Sequence, residues 1–308
     1  MKTKTTVGIF VTTTLLMVAP SIAKNLTGFE ESFTSHGNFI VAHRTMGYEE
    51  GALCSFAVQG CSFMRTQVHE TDEGARITIG TDSELKSYSC GELIYRQGHL
   101  GYGTYSIEMK ASDIVGQVTS FFLIANEDIE IDIELTGLNN RIGWMNVWHD
   151  HKQNPVSIEL PFDTSKDWHA YSFDWFKDHI VWYVDERMVL NRSDVLTTPP
   201  DRANYKLAVN SWTQVQTEIN IDWAGKFKYP KDGRIPEARF RNMRFVPRFY
   251  NAEGKEEGTG GKNHRETAKP NAQSGAKLSM GPDGLLTVAR VFVVAAGVAL
   301  SSSSSLVL

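Results

Sequence analysis

The stretch Asn126-Glu127-Asp128-Ile129-Glu130-Ile131-Asp132-Ile133-Glu134-Leu135 alternates acids with apolar residues. On a β-strand successive side chains point to opposite faces, so Glu130, Asp132 and Glu134 share one face and Ile131, Ile133 and Leu135 the other. Like charges at neighbouring same-face positions repel, and each raises the cost of ionising the next. One of the three is therefore expected to hold a proton near neutral pH. A protonated carboxylic acid beside an ionised carboxylate is the pair that glycosidic cleavage needs: the carboxylate attacks the anomeric carbon and the acid protonates the leaving oxygen. Cleavage with retention needs the two carboxyl groups about 5 to 5.5 Å apart, whereas α-carbons at i and i+4 of a straight strand lie roughly 13 Å apart. The outer two side chains must then lean together over Asp132, on a sheet curved so that this face is concave. Asp132 would hydrogen-bond the nucleophile and set its ionisation. Solvated acids on any half-exposed strand follow the same alternation, so a chemical assignment needs more than the pattern.

The elements that must position these acids are read from the same periodicity. From about Glu30 to Val246 the apolar residues follow period two, interrupted by turn residues every eight to twelve positions. Strands are expected at Gly103 to Met109, Ser120 to Ala125, Ile129 to Leu135, Trp144 to Trp148 and Trp168 to Trp175. Further strands are expected at His179 to Val184, Tyr205 to Asn210, Glu218 to Trp223 and Ala238 to Val246. No segment reads as a long amphipathic helix. Many short β-branched and aromatic strands imply an all-β, two-sheet antiparallel β-sandwich.

The 308 residues, 41% hydrophobic and 11% aromatic with seven Trp, suffice for one large core with aromatics to spare for a carbohydrate cleft. A formal charge of −5 gives no electrostatic reason to expect nucleic acid. Lys2 and Lys4, the apolar run Val7 to Ala19 and Ser21-Ile22-Ala23 read as a signal peptide over residues 1–23, cleaved after Ala23. The expected catalytic domain covers 24–250. Residues 251–279 have the composition of a flexible linker, and 280–308 form an apolar tail. Small residues at Ser274, Gly275 and Ala276, a polar spacer and that tail follow the order of a GPI-attachment signal; a plain disordered or membrane-associated tail is the other reading. A secreted chain, attached to membrane or wall if the tail acts as such a signal, makes disulfides persist. The three cysteines, Cys54, Cys61 and Cys90, imply one bridge and one leftover thiol. Asn25-Leu26-Thr27 and Asn191-Arg192-Ser193 are glycosylation acceptors suited to surface loops.

From about Phe33 to Val246 the chain resembles the family 16 glycoside hydrolases, which include bacterial lichenases and fungal Crh-type wall transglycosylases. Glu130-Ile131-Asp132-Ile133-Glu134 matches their Glu-x-Asp-x-Glu strand. Ser89-Cys90-Gly91-Glu92-Leu93, Gly101-Tyr102-Gly103-Thr104-Tyr105, Met109-Lys110-Ala111 and Val118-Thr119-Ser120-Phe121-Phe122 resemble the segments that lead to it. The resemblance implies a concanavalin A-like jelly roll with a concave cleft, Glu130 as nucleophile, Asp132 as its helper and Glu134 as acid/base. It implies substrate contacts at Glu92, Asn146, Trp148, Asn210 and Trp212. In related lichenases a cysteine at the position of Cys90 is bridged to an upstream one; here spacing favours Cys61 and the local sequence favours Cys54. Many members have Asp directly before the nucleophile, where this chain has Ile129. The absence of an extra residue between Asp132 and Glu134 follows the lichenase and Crh pattern rather than the bulged laminarinase form.

Trp148 and Trp212 are read as sugar-stacking rings and Trp223 as core packing, while Trp144, Trp168, Trp175 and Trp182 are placed in the structural class. His149 and His151 would share a strand face, but without a third ligand they are read as structural. Members of the family carry a structural calcium ion; no liganding motif for one is evident here, and no other cofactor is expected. The expected function is retaining, endo-acting hydrolysis of β-1,3/1,4-glucan-type polysaccharide. Crh-type wall transglycosylation, towards which Asp222-Trp223-Ala224-Gly225 leans, and a non-catalytic β-glucan-binding module are the rivals.

Overall fold

The computed structural model describes residues 28–34, 39–41, 60–82, 87–95, 100–125, 129–150, 152–195, 197–200, 205–214, 218–251 and 253–260. The expected signal segment, the Asn25 acceptor, Cys54, His151 and the expected tail lie outside the described residues.

In chain order the strands begin with β1 (Phe29–Glu31), β2 (Phe39–Val41), β3 (Cys61–Phe63), β4 (Val68–Thr71), β5 (Gly74–Thr78), β6 (Gly80–Asp82) and β7 (Ser87–Tyr95). Next come β8 (Gly103–Lys110), β9 (Gln117–Ala125), β10 (Ile129–Thr136), β11 (Ile142–His149), β12 (Lys152–Gln153) and β13 (Val156–Glu159). The remainder are β14 (His169–Trp175), β15 (Ile180–Val184), β16 (Arg187–Arg192), β17 (Tyr205–Thr213), the helix α1 (Glu218–Ala224), β18 (Glu237–Tyr250) and β19 (Glu256–Thr259). Among the described residues they form two sheets. One follows the order β16-β15-β14-β8-β18-β5-β4, with β1 and β19 also on β18. The other runs β12-β11-β10-β9-β17-β7-β2, with β13 on β11 and both β3 and β6 on β7. Neighbours along both paths pair antiparallel, whereas β3 joins β7 in parallel.

Apolar alternation drives the two sheets together. Ile131, Ile133 and Leu135 of β10 are at most 1% exposed and join one core cluster with Phe121 and Leu123 of β9 and Val209 of β17. Tyr105, Phe173, Trp175, Trp182 and Phe245 of the facing sheet close that cluster. At about 25 cal/mol per Å² of apolar surface, burying each such side chain contributes roughly 1.5 to 3 kcal/mol. Trp182, read as structural, also spans the core: its indole Nε1 donates to the Asp132 carbonyl at 3.2 Å. The acid-bearing strand is thus held from its apolar side.

Two elements differ from expectation. Glu218 to Trp223, expected as a strand, is the helix α1. Ile219, Ile221 and Trp223 alternate as a strand would, and six residues are too few for periodicity to separate the two states. Gly225 closes the helix with a φ of +85° and donates its N–H to the Ile221 carbonyl at 2.9 Å. That C-terminal glycine was the available signal. Within the stretch expected as linker, Glu256–Thr259 pairs with β18, so ordered pairing continues past residue 250.

A second cluster gathers Phe63, Val118, Trp212, Trp223 and Phe227 around a disulfide between Cys61 and Cys90, whose α-carbons are 5.9 Å apart. Of the two pairings left open by the sequence, this one ties β3 to β7. Closing a 29-residue separation removes chain entropy from the unfolded state. Replacing Cys61 by Ser should therefore lower the unfolding free energy by about 3 kcal/mol in a denaturant titration. Cys54→Ser should leave it unchanged. The reverse pattern would reassign the bridge.

Candidate active site

Register builds the site. On the face of β10 away from the core, Glu134 lies level with Trp144 of β11 and Ser120 of β9, and Ser120 lies level with Asn210 of β17 and Glu92 of β7. The next row is Asn146, Asp132, Phe122, Ala208 and Ile94. The third is Trp148, Glu130, Ile124 and Lys206. No strand of the described sandwich covers this face, yet Glu92, Asp132, Asn146, Trp148, Lys206 and Asn210 are all 0 to 8% exposed. Such a face is a recessed floor, and Phe122, Ile124 and Ala208 form an apolar patch within it. Glu130 and Glu134 keep part of their surface open.

Sinking carboxyl groups beside an apolar patch disfavours their charged forms. Burial pushes Asp132 well above the usual carboxylate range, and the charges of Glu130 and Glu134 add to it, against a hydrogen bond from Asn146. Asn146 Nδ2 donates to Asp132 Oδ2 at 2.8 Å, and its own Oδ1 accepts the Asn154 N–H at 3.0 Å, which sets the orientation of the amide. Asp132 Oδ1 is buried with no donor of its own. A hydrogen bond between the Asp132 and Glu130 carboxyls favours the proton on Asp132 and the charge on Glu130. Burial also raises Glu130, but that bond and the nearby Lys206 ammonium hold it back, against a smaller push from Glu92. Glu134 is pushed up to about 8, by burial first and the Glu130 charge second. The three titrate as one coupled set whose members differ in environment.

Glu134 is steered by a short relay. Trp212 Nε1 donates to Ser120 Oγ at 3.1 Å, which turns that hydroxyl's own hydrogen towards Glu134 Oε1 at 3.4 Å. Glu92 is 0% exposed, pairs with Lys206 Nζ at 2.9 Å and accepts from Asn210 Nδ2 at 3.2 Å.

The sequence-derived site residues therefore converge on one face. Trp148 and Trp212 are each 6% exposed, and Trp212 donates its indole N–H to Ser120. Trp144, placed in the structural class, is the half-buried ring across from Glu134. Trp223 packs against Trp212 with centroids 6.0 Å apart. Ser120, Lys206 and Asn154 were not singled out. Strand parity carried the signal for Lys206, since the spacing that puts Asn210 on this face puts Lys206 there too. His149 lies on the other side of β11 from Trp148, and among the described residues no group of three His, Cys, Asp or Glu could hold a metal ion.

The family model described as glycosyl hydrolases family 16 matches residues 35–226. The beta-glucanase of Acetivibrio thermocellus is 30% identical over 212 residues, 65% of this chain. That match spans 59% of the relative's length. A solved Bacillus licheniformis beta-glucanase superposes with a TM-score of 0.59 at 26% identity, covering 72% of this chain and 99% of its own. A Crh5 transglycosylase shares the fold, with a TM-score of 0.53 at 17% identity over 71% of this chain and 84% of its own.

Glu134 makes a prediction about stability. Its folded-state pKa, about 8, lies above that of the unfolded chain, so between pH 4.5 and 8 the folded state holds a proton the unfolded state has released. This group's contribution to stability is present below that window and is lost as pH rises through it. Glu134→Gln removes the effect: its melting temperature relative to wild type should climb from pH 5 to pH 8. Parallel melting curves would show that Glu134 is not shifted.

Proposed function

The chain belongs to glycosyl hydrolase family 16, and from that premise we propose that it is a secreted, retaining, endo-acting hydrolase of β-1,3/1,4-glucan-type polysaccharide. The observation that carries the reading is a row of three acids on one recessed strand face in unequal surroundings: the Asp132 bond and the Lys206 ammonium oppose the rise at Glu130, while burial and the Glu130 charge push Glu134 up to about 8. At neutral pH Glu130 is the carboxylate that attacks the anomeric carbon, while Glu134 gives its proton to the leaving oxygen as that bond breaks. A covalent glycosyl-enzyme results. Glu134, now ionised, takes a proton from the incoming water, whose oxygen displaces Glu130. Asp132 donates to Glu130 throughout, and weakens that bond as charge leaves the nucleophile.

For substrate binding, Asn210 is the best placed of the expected contacts: its Oδ1 is buried without a partner, an acceptor that a sugar hydroxyl would satisfy. Glu92 and Asn146, committed to Lys206 and to Asp132, act as supports beneath the sugar. The Cys61–Cys90 bridge supports secretion, because such bonds persist in oxidising compartments. Asn191 of the second glycosylation triplet is exposed on β16. A lipid-anchored tail remains part of the proposal from sequence alone. Trp144 favours one second reading: a ring across from the acid/base lies where an acceptor sugar would enter, and transfer to a sugar hydroxyl uses the same acids.

Incubation with barley β-glucan, laminarin and labelled chito-oligosaccharide acceptors, with products resolved by mass, should yield short glucans. Labelled higher-mass hybrids would instead establish transfer, and binding without products would leave a glycan-binding module. Glu130→Gln should lower kcat by about 10³-fold or more. The pH profile of the wild type should fall on the alkaline side near about 8, as Glu134 loses its proton. An alkaline limb unchanged in Glu134→Gln would assign the acid elsewhere.

A further inference from the structure

We propose that Lys206 is a positioning residue for this reaction: held in the floor by the buried Glu92, its ammonium biases the charge of the acid row towards Glu130. The inference rests on the glycosidic reading of that row.

A lysine in the middle of a sheet face, 8% exposed, is costly unless paired. Lys206 is paired on two sides. Its Nζ lies 2.9 Å from Glu92 Oε1 and 5.0 Å from the centroid of the Phe122 ring, the residue level with Asp132. Asn210 holds the other Glu92 oxygen, so the carboxylate that anchors the ammonium is itself fixed. A buried ion pair is a weak device for stability, and apolar replacements of similar volume often do as well. Its location next to the acids is what needs explaining. Among the described residues, the ionisable groups facing Glu130 are Asp132 and Glu134 on its own strand, Lys206 on β17 and Glu92 on β7, while β9 and β11 present Ile124 and Trp148 at its level. Lys206 favours ionised Glu130 more than Glu92 opposes it. Glu134 is governed instead by burial, by Glu130 and by Ser120. The cation thus adds to the Asp132 bond at one end of the row, and the two together favour charge at Glu130.

The test compares Lys206→Met, Lys206→Arg and the double variant Lys206→Met/Glu92→Gln, which removes both buried charges if the single variant does not fold. The primary reading is the carboxyl ¹³C NMR titration of Glu130, assigned with Glu130→Gln, in the full chain without substrate. In Lys206→Met the Glu130 midpoint should rise by about one pH unit, a tenfold change in proton affinity, and the acid limb of kcat/KM should follow it. The double variant should rise part of the way, and Lys206→Arg should stay with the wild type. An unmoved Glu130 in Lys206→Met, or in the double variant where the single one is unfolded, overturns the proposal. So does an equal shift in Lys206→Arg. Because the titration needs no turnover, the expected shift in Lys206→Met, found together with a wild type that neither hydrolyses nor transfers, would sink the glycosidic reading while upholding the bias towards Glu130.

Discussion

Three carboxyl groups at alternate positions of one strand, the middle one buried and the outer two partly so, do not all ionise together near neutral pH, and most of the site follows from that constraint. Each proton bound at one position lowers the cost of ionising the next. The arrangement therefore works only if the surroundings decide where protons sit. Burial and the charges on either side put one on the middle acid, against the Asn146 hydrogen bond, and Lys206 favours charge at Glu130. Glu134, with burial and the Glu130 charge against it, keeps the other. An acid and a base side by side at the same pH are a consequence of environment, since Glu130 and Glu134 are chemically identical.

Holding that row in place is the task of the rest of the fold. The same alternation that presents the acids sends Ile131, Ile133 and Leu135 into a core shared with the facing sheet, so a one-residue slip would bury the acids and expose the core. Trp182 ties the strand's backbone across that core. On the open side, Trp212 and Ser120 fix the Glu134 end of the row, Lys206, held by Glu92, lies level with Glu130, and the disulfide cluster packs behind Trp212. Stability and chemistry therefore share residues. The cost of burying the acids is met by an apolar core on the opposite face of one strand.

Period-two alternation was enough to place Glu130, Asp132 and Glu134 together and to infer a two-sheet sandwich, because side-chain direction in a strand depends on parity alone. It was not enough for anything that depends on which strands are neighbours. Ser120 meets Glu134 only because β9 pairs with β10 at that register, and Asn154 reaches Asn146 through a turn whose geometry no motif announces. Ring exposure is likewise beyond parity: Trp144, Trp148 and Trp212 all stand on this face, yet Trp148 and Trp212 are buried and Trp144 is half-buried. The helix at Glu218–Ala224 carries a short run that alternates as a strand would, and Gly225, at a φ of +85°, is the residue that marks its end.

The division of labour between the two outer acids is most directly tested by trapping the intermediate. A 2-deoxy-2-fluoro glucosyl donor with a good leaving group slows release of a glycosyl-enzyme, and peptide mass mapping then locates the sugar. Attachment to Glu130, with the wild-type enzyme releasing product of retained anomeric configuration, is the outcome expected from a row charged at that end. Attachment to Glu134 or Asp132, or a first product of inverted configuration with no adduct, would contradict it.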